Sequence, residues 1–520
     1  MPPLHPSAQP PETADQAYQA VDGGRGEAVD APELAGSGET KGRLLQLLGT
    51  GFGLAGAIGA TLGAGILRTP GLVADELGST SLFIGAWVVG GLYALFGAIC
   101  ATELATAMPK AGGWMVYAQK AFGPSVGFSV GWIDWLGHSA GLAWVAITIG
   151  EYATVLLENL PIGPRPIAIT VVALFALIQL RGVQAGGGAL QFLSLTKALA
   201  FIVLVIACFV LGGHLSEDLL SAYLAGDTAT DILTDVAPDI ASDASDAGAA
   251  ASSSTASSGT PSSRSAPSLA LTIGGVVVAL QAVFATFNGW HNPIYFAEEF
   301  SEPKRDLPRS LIGGVLVIAA IYLLVNLALL NVLPLSVIAA SKLPVADAAR
   351  LIFGGISGTF ITALVLLSLL GLVNATIMAA PRILYGLARD GLFARGVMRV
   401  NQGGTPVVAL VLTTLTTCGL VLAGDFQVLL GVASFLYVAL YLSGILSLLV
   451  LRRREGGLSS PFRSWAYPLP AMVVLLGSLA FLVAAGFKDS ITSLEAGLLI
   501  AIGLPVQWVA LRFDDQGDGN

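Results

Sequence analysis

Runs of about twenty apolar residues, separated by short polar connections, begin at Leu44 and continue almost to the C-terminus. Roughly 20 apolar residues are needed to cross the hydrocarbon of a bilayer as a helix. The chain offers twelve such runs, at 46–70, 81–107, 126–157, 166–182, 188–212, 269–297, 310–333, 356–381, 405–423, 427–450, 467–487 and 492–511. None alternates apolar and polar residues at the period of a barrel strand. The pattern predicts an all-α polytopic membrane protein with twelve transmembrane helices.

Two of the runs are interrupted. In the first, Thr61-Leu62-Gly63-Ala64-Gly65-Ile66 places three small residues in succession, with Pro70 beyond them. In the sixth, Phe284-Ala285-Thr286-Phe287-Asn288-Gly289 runs on to His291 and Pro293. Proline removes an amide and glycine loosens the turn before it. The bland readings are close helix packing through small residues in the first case and a simple kink in the second. A helix opened within a bilayer must find partners for its freed amides and carbonyls, which is tolerated where the break lines a cavity. There the amides and the positive end of the following half-helix suit a carboxylate. Runs one and six cross in opposite senses, so the two interruptions occupy corresponding places in two five-helix halves, the pointer to an inverted-repeat transporter with its site at the midplane. The expected divisions are a first repeat at 44–212, a second at 269–451 and two additional helices within 452–512.

Composition and charge refine this picture. Only 11% of the residues are charged, against about 25% in an ordinary soluble domain. Nineteen of the 25 Lys and Arg fall on the side of the N-terminus and five on the other, with Arg68 inside the first run. That bias places both termini in the cytoplasm and the multi-pass chain in the plasma membrane, although Lys197 and Arg382 are counted there only by proximity. Residues 1–43 have no apolar core of the kind a secretory signal needs and read as a disordered cytoplasmic tail; residues 513–520 form the cytoplasmic C-terminus. Residues 213–268 form an extracellular loop rich in Asp, Ser and Ala. Asp227, Asp231, Asp235, Asp239 and Asp243 recur every four residues, which would stack like charges on one helix face, so this loop reads as disordered and dispensable for chemistry. Cys100, Cys208 and Cys418 sit inside apolar runs at spacings that suggest neither a disulfide nor a metal site. No cofactor, metal or nucleic-acid partner is signalled, and no cluster of nucleophile and base suggests an enzyme.

A few polar residues stand inside apolar runs. Asp134 and His138 are four apart and share a helix face; they form either a proton relay or a satisfied polar pair beside a cavity. Glu151 lies further along the same run, and Asn374 lies in the eighth. Glu103, near the end of the second run, is expected to hold a loop by pairing with Lys or Arg, and Arg452-Arg453-Arg454 to anchor topology. Lys197 lies about nine residues into its run, near 14 Å at 1.5 Å per residue. The alternative for it is a side chain that snorkels to the interface.

Taken together, these stretches resemble the amino acid, polyamine and organocation (APC) permease superfamily, whose members share the five-plus-five inverted-repeat fold of the bacterial leucine transporter. Leu62 to Pro70 is similar to that family's Ile-Gly-Ser-Gly-Ile-Phe-x-x-Pro, with Ala64 and Leu67 as departures. Ala101 to Phe122 resembles its Ala-Glu-Leu, Met-Pro-x-Ala-Gly-Gly and Ala-Phe-Gly signatures, and Arg382 to Gly391 its Arg-x-x-Tyr-x-x-Ala-Arg-Asp-Gly. The resemblance implies a secondary transporter that moves an L-amino acid by alternating access. The substrate site would be Thr61 to Ile66 and Phe284 to Gly289, with amides at Ala64 and Gly65 taking the carboxylate and carbonyls at Thr61, Ala285 and Asn288 taking the ammonium. Ala285 stands where the family usually has Phe, so Phe284 or Phe287 must supply the gate. His291 would make transport pH-sensitive. Lys197 resembles a Lys that fills a sodium site in proton-coupled members, which implies protons rather than sodium. Asp134, His138, His291 and Asn374 are accessory candidates. A polyamine or other cationic metabolite, exchange rather than net uptake, and a non-transporting amino acid sensor remain as alternatives, and a partner subunit is left unspecified.

Overall fold

Apolar segments withdrawn from water must satisfy their own backbone polar groups, and a helix does so within a single segment. In the computed structural model the chain is accordingly helical, with no strand among the described residues. These are 44–63, 65–156, 162–212, 269–354, 357–424, 426–454, 458–488 and 490–517. The tail 1–43, Ala64 and the acidic loop with its Asp repeat lie outside them.

The helices are α1 (Thr50–Thr61), α2 (Gly65–Leu77), α3 (Thr80–Ala107), α4 (Trp114–Phe122), α5 (Pro124–Leu156), α6 (Pro164–Leu180), α7 (Val183–Gly212), α8 (Leu269–Thr286), α9 (Pro303–Val332), α10 (Leu335–Ala340), α11 (Pro344–Phe353), α12 (Ser357–Arg389), α13 (Val407–Ala423), α14 (Phe426–Arg453), α15 (Leu469–Lys488) and α16 (Ser490–Gly517). Among the described residues, seven of these are long and apolar enough to cross a bilayer, and α1 with α2 forms an eighth candidate bent by 50° at its break. The connection after α9 folds as α10 and α11.

Both interruptions open the backbone. α1 ends when Leu62 leaves the helical region at φ −72°, ψ 85°, its amide still donating to the Ile58 carbonyl at 2.9 Å. α8 ends at Thr286 and is followed by a turn and a 3₁₀ helix over Asn292–Glu299. Gly289 in that turn has φ +110°, a conformation that disfavours any side chain. A Cβ there would lie 2.4 Å from the Ala60 carbonyl oxygen, so the second break presses its backbone against the end of α1.

The small residues of α1 also serve close packing. A Cβ on Gly53 would meet Ser310 Oγ of α9 at 2.0 Å, and one on Gly59 would meet Ser194 Oγ of α7 at 2.6 Å. Helices meet this closely in membranes only where side chains are minimal. Close packing and breakage thus divide the run between them, the first along α1 and the second beyond Thr61.

One end of the broken pair is stitched by backbone and by charge. The Leu48 amide donates to the Glu299 carbonyl, and the Ser301 amide to the Leu48 carbonyl, each at 2.9 Å. Arg382 and Glu299 are fully buried; Nε donates to Oε1 at 2.9 Å and an Nη to Oε2 at 3.3 Å. Arg382, counted from sequence on the cytoplasmic side by proximity, therefore lies inside the protein, where its third guanidinium nitrogen donates to the Met378 carbonyl at 2.8 Å.

Candidate functional site

The two breaks face one cavity of about 350 Å³. Thr61, Gly63 and Gly65 line it from the first break and Phe284, Ala285, Thr286, Asn288 and Gly289 from the second, with α5 and α14 forming the opposite wall. α2 begins at Gly65, so the first amides of that half-helix have no partner within it. A Cβ on Gly65 would lie 3.2 Å from Thr286 Cγ2, and the hydroxyls of Thr69 and Thr286 are 2.7 Å apart. These contacts set the two breaks directly opposite each other.

Several of the sequence-predicted residues, Leu62, Ile66, Phe287 and Asn374 among them, do not line this cavity. Leu62 and Ile66 are fully buried and turned into the protein, because the side chains at a break project to different sides and only some face the opening. Phe287 packs its ring 4.9 Å from that of Tyr322. Of the two gate candidates it is Phe284 that lines the cavity, stacked on Tyr93 with centroids 4.1 Å apart. Asn374 is buried in a separate network, accepting from Gln179 Nε2 at 2.9 Å and donating to the Gly186 carbonyl at 3.1 Å.

The polar residues of α5 and the second break form a cluster beside the cavity. His138 Nδ1 lies 3.1 Å from Asp134 Oδ1, which accepts from the Tyr295 hydroxyl at 2.9 Å. His138 and His291 line the cavity, whereas Asp134 is fully buried behind them. Tyr441 donates to Asn288 Oδ1 and lies 2.8 Å from His291 Nδ1, joining α14 to the second break.

Sequence inspection missed Tyr322. Its hydroxyl lies 2.8 Å from the Thr61 carbonyl and 3.1 Å from that of Thr286, so one proton is shared between the ends of both broken helices. An isolated Tyr in an apolar run carries no signal of that role. Tyr441 was missed for the same reason.

Lys197 does not snorkel. Its side chain is fully buried, and Nζ donates to the Gly59 carbonyl at 2.7 Å. Three residues earlier on α7, Ser194 Oγ donates to the Ala55 carbonyl at 2.8 Å, so one face of α7 holds two carbonyls of α1. Room for the ammonium comes from Gly371 on α12, where a Cβ would lie 3.2 Å from Nζ. Glu103 pairs as expected, with Arg452 Nε at 2.7 Å.

Helices long and apolar enough to cross a bilayer, with a cavity between two interrupted segments, fit a membrane transporter. The chain matches the amino acid permease family model over residues 52–502 and belongs to that family. It is 25% identical to the serine/threonine exchanger SteT of Bacillus subtilis over 470 residues, covering 89% of this chain and 95% of that protein. It is 26% identical to the mouse Asc-type amino acid transporter 1 over 468 residues, 86% of this chain and 78% of that protein. With the human large neutral amino acids transporter small subunit 2 it shares 24% identity over 502 residues, 94% of this chain and 84% of that protein.

Proposed function

We propose that the chain is a secondary transporter that moves a neutral L-amino acid across the cytoplasmic membrane by alternating access. The observation that carries this reading is the chemistry of the cavity. Among the described residues no Asp, Glu, Lys or Arg side chain lines it. Thr61 Oγ1 and Asn292 Oδ1, in contrast, are buried at its wall without a hydrogen-bond partner among the described residues. Buried polar atoms normally have partners, so the wall suits a ligand that brings its own donors and carries no net charge. A zwitterion fits; a polyamine needs a carboxylate facing it, and neither Asp134 nor Glu151 lines the cavity.

In this reading the amides at the start of α2, with Ala64, receive the substrate carboxylate, and carbonyls at Thr61, Ala285 and Asn288 receive its ammonium. The Thr61 carbonyl already accepts from Tyr322, which leaves it a second lone pair. The twelve spans form two inverted repeats, 44–212 and 269–451, followed by two further helices in 452–512, with both termini in the cytoplasm. The facing breaks and the positions of the positive charges support that arrangement. Reconstitution into proteoliposomes with a panel of radiolabelled amino acids and polyamines tests the assignment. Saturable uptake or exchange of neutral amino acids is expected. Amino acid binding with neither uptake nor exchange would make the chain a sensor, and polyamine flux would overturn the zwitterion reading.

We further propose that Lys197 couples transport to protons. The contact of its ammonium with Gly59, one turn before the break, supports this, because it places a cation between α7 and the half-helix that carries the site. Uptake is expected to depend on pH without sodium, and Lys197→Met to flatten the pH response. Strict sodium dependence, or a full pH response in the variant, would rule the role out.

A further inference from the structure

A second opening lies away from the central cavity. The C-terminal end of α3, the end of α14, the connection after it and the start of α15 enclose a cleft of about 520 Å³ lined by Glu103, Arg452, Arg453, Arg463, Tyr467 and Met472, among others. Its charges do not cancel. Both carboxylate oxygens of Glu103 are taken by Arg452, at 2.7 and 2.6 Å, and the second also accepts the Ser464 amide at 2.7 Å. The Arg452 guanidinium is further held over the Tyr467 ring, 3.9 Å from its centroid. Arg453 and Arg463 are exposed and have neither an ion pair nor a hydrogen bond among the described residues. Among the described residues, two cations without an acidic partner therefore flank one cleft.

Apolar surface leads away from it. Leu449, Leu458 and Met472 belong to the cleft wall. From there Leu469, Met472, Leu476, Leu479 and Val483 follow one another at intervals of three and four residues along α15, all exposed, which places them on one face of the helix. Trp465, 61% exposed in the bend just before α15, is the residue type that settles at the boundary of headgroups and hydrocarbon. Two cations, an interfacial tryptophan and an apolar stripe thus follow one another in the order phosphate, glycerol and acyl chain follow in a phospholipid.

We infer that this cleft seats an anionic phospholipid, its headgroup phosphate between Arg453 and Arg463 and an acyl chain along the exposed face of α15. Basic pockets between membrane helices recognise anionic headgroups in this way. Guanidinium groups suit the task because their fork of donors matches phosphate oxygens. A zwitterionic lipid covers the same stripe but brings a cation of its own beside the two arginines. The lipid bridges α14 to α15 at the point where Arg452 ties them to α3.

The test uses the full chain purified in detergent, with phosphatidylglycerol or phosphatidylcholine added back, lipid retention read by native mass spectrometry and stability by thermal unfolding. Wild type is expected to retain phosphatidylglycerol preferentially, and the preference to weaken as salt is raised. The double variant Arg453→Gln/Arg463→Gln is expected to lose roughly thirtyfold of that preference, the contribution of two cations beside an anionic lipid, while unfolding at the wild-type temperature in phosphatidylcholine. Equal retention of both lipids by wild type, or an undiminished preference in the double variant, would overturn the inference. Stabilisation by inorganic phosphate equal to that by phosphatidylglycerol would assign the arginines to a free anion and overturn it too. If the double variant does not fold, the salt dependence of wild-type retention decides, and a preference insensitive to salt counts against the phosphate contact.

Discussion

The broken helices are held very differently at their two ends. Where α1 begins and the 3₁₀ helix finishes, two backbone bonds join Leu48 to Glu299 and Ser301, Thr50 donates to Asp306 at 2.5 Å, and Glu298 meets Arg389 at 2.5 Å beside the buried Glu299–Arg382 pair. At the other end α2 and α8 meet through the hydroxyls of Thr69 and Thr286 and through Gly275 packed against the Glu76 backbone. Charge-assisted bonds are roughly twice as strong as neutral ones, and removing one partner of a buried pair strands the other. The lesson is that the two ends differ in what opening them requires: one needs buried charges to be parted or rehoused, whereas among the described residues α2 and α8 are joined at the other by a hydroxyl pair and by close backbone packing. Gly65, between the ends, is exposed to the cavity.

The comparison breaks most visibly at Arg382. Arg382→Met leaves the Glu299 carboxylate buried without its partner, and a loss of about 3–5 kcal/mol is expected, read as a lowered thermal unfolding temperature in detergent. Adding Glu299→Gln should restore a large part of it. If single and double variants unfold alike, charge is not what holds that end.

Gly65→Val comes next. A valine there must displace Thr286, at a strain of about 1–3 kcal/mol for an overfilled contact, and it crowds the amides that open α2. Amino acid binding should fall at least tenfold while the protein still inserts and unfolds cooperatively. Unchanged affinity by scintillation proximity would remove those amides from the site.

Tyr322→Phe deletes the one hydroxyl shared by the two helix ends. Leaving buried carbonyls without a donor costs about 1–3 kcal/mol, and the lower half of that range is expected because Thr61 lines the cavity. Stability should drop in the ligand-free protein and recover on adding substrate. A variant indistinguishable from wild type under both conditions would show that the hydroxyl is not shared in solution.

The smallest effect is reserved for the neutral end. Thr69→Val removes a hydroxyl pair worth about 0.5–1.5 kcal/mol, so uptake should persist with an apparent KM changed by only a few fold. A loss of function as large as that of Gly65→Val would erase the contrast between the ends.

How much of this was legible in the chain depended on whether the signal was local. The first break shows in Gly63-Ala64-Gly65 and the second in Gly289 with Pro293, because backbone permissiveness belongs to single residues. Lys197 stood out because an ammonium deep in an apolar run is anomalous wherever it points. Which side each residue of a break would face was not readable, so Leu62, Ile66 and Phe287 were expected in a cavity they do not line. Partnerships across the chain were invisible as well. Glu299 and Arg382 are 83 residues apart, Tyr322 and Thr61 are 261 apart, and neither pair repeats at any period. Asn374 illustrates the converse, a polar residue in an apolar run whose partners turned out to be structural.

The absence of Asp, Glu, Lys and Arg from the described cavity wall has an electrical consequence. A zwitterion held there adds no net charge to the moving part of the protein, so a turnover carrying it alone produces no current and membrane voltage does no work on it. One proton carried per cycle changes that, since each elementary charge crossing the full potential is worth about 2.3 kcal/mol per 100 mV. In the proposed function, where the substrate is a zwitterion and the ion a proton, the voltage sensitivity of transport would follow the co-transported proton, since among the described residues no Asp, Glu, Lys or Arg lines the cavity.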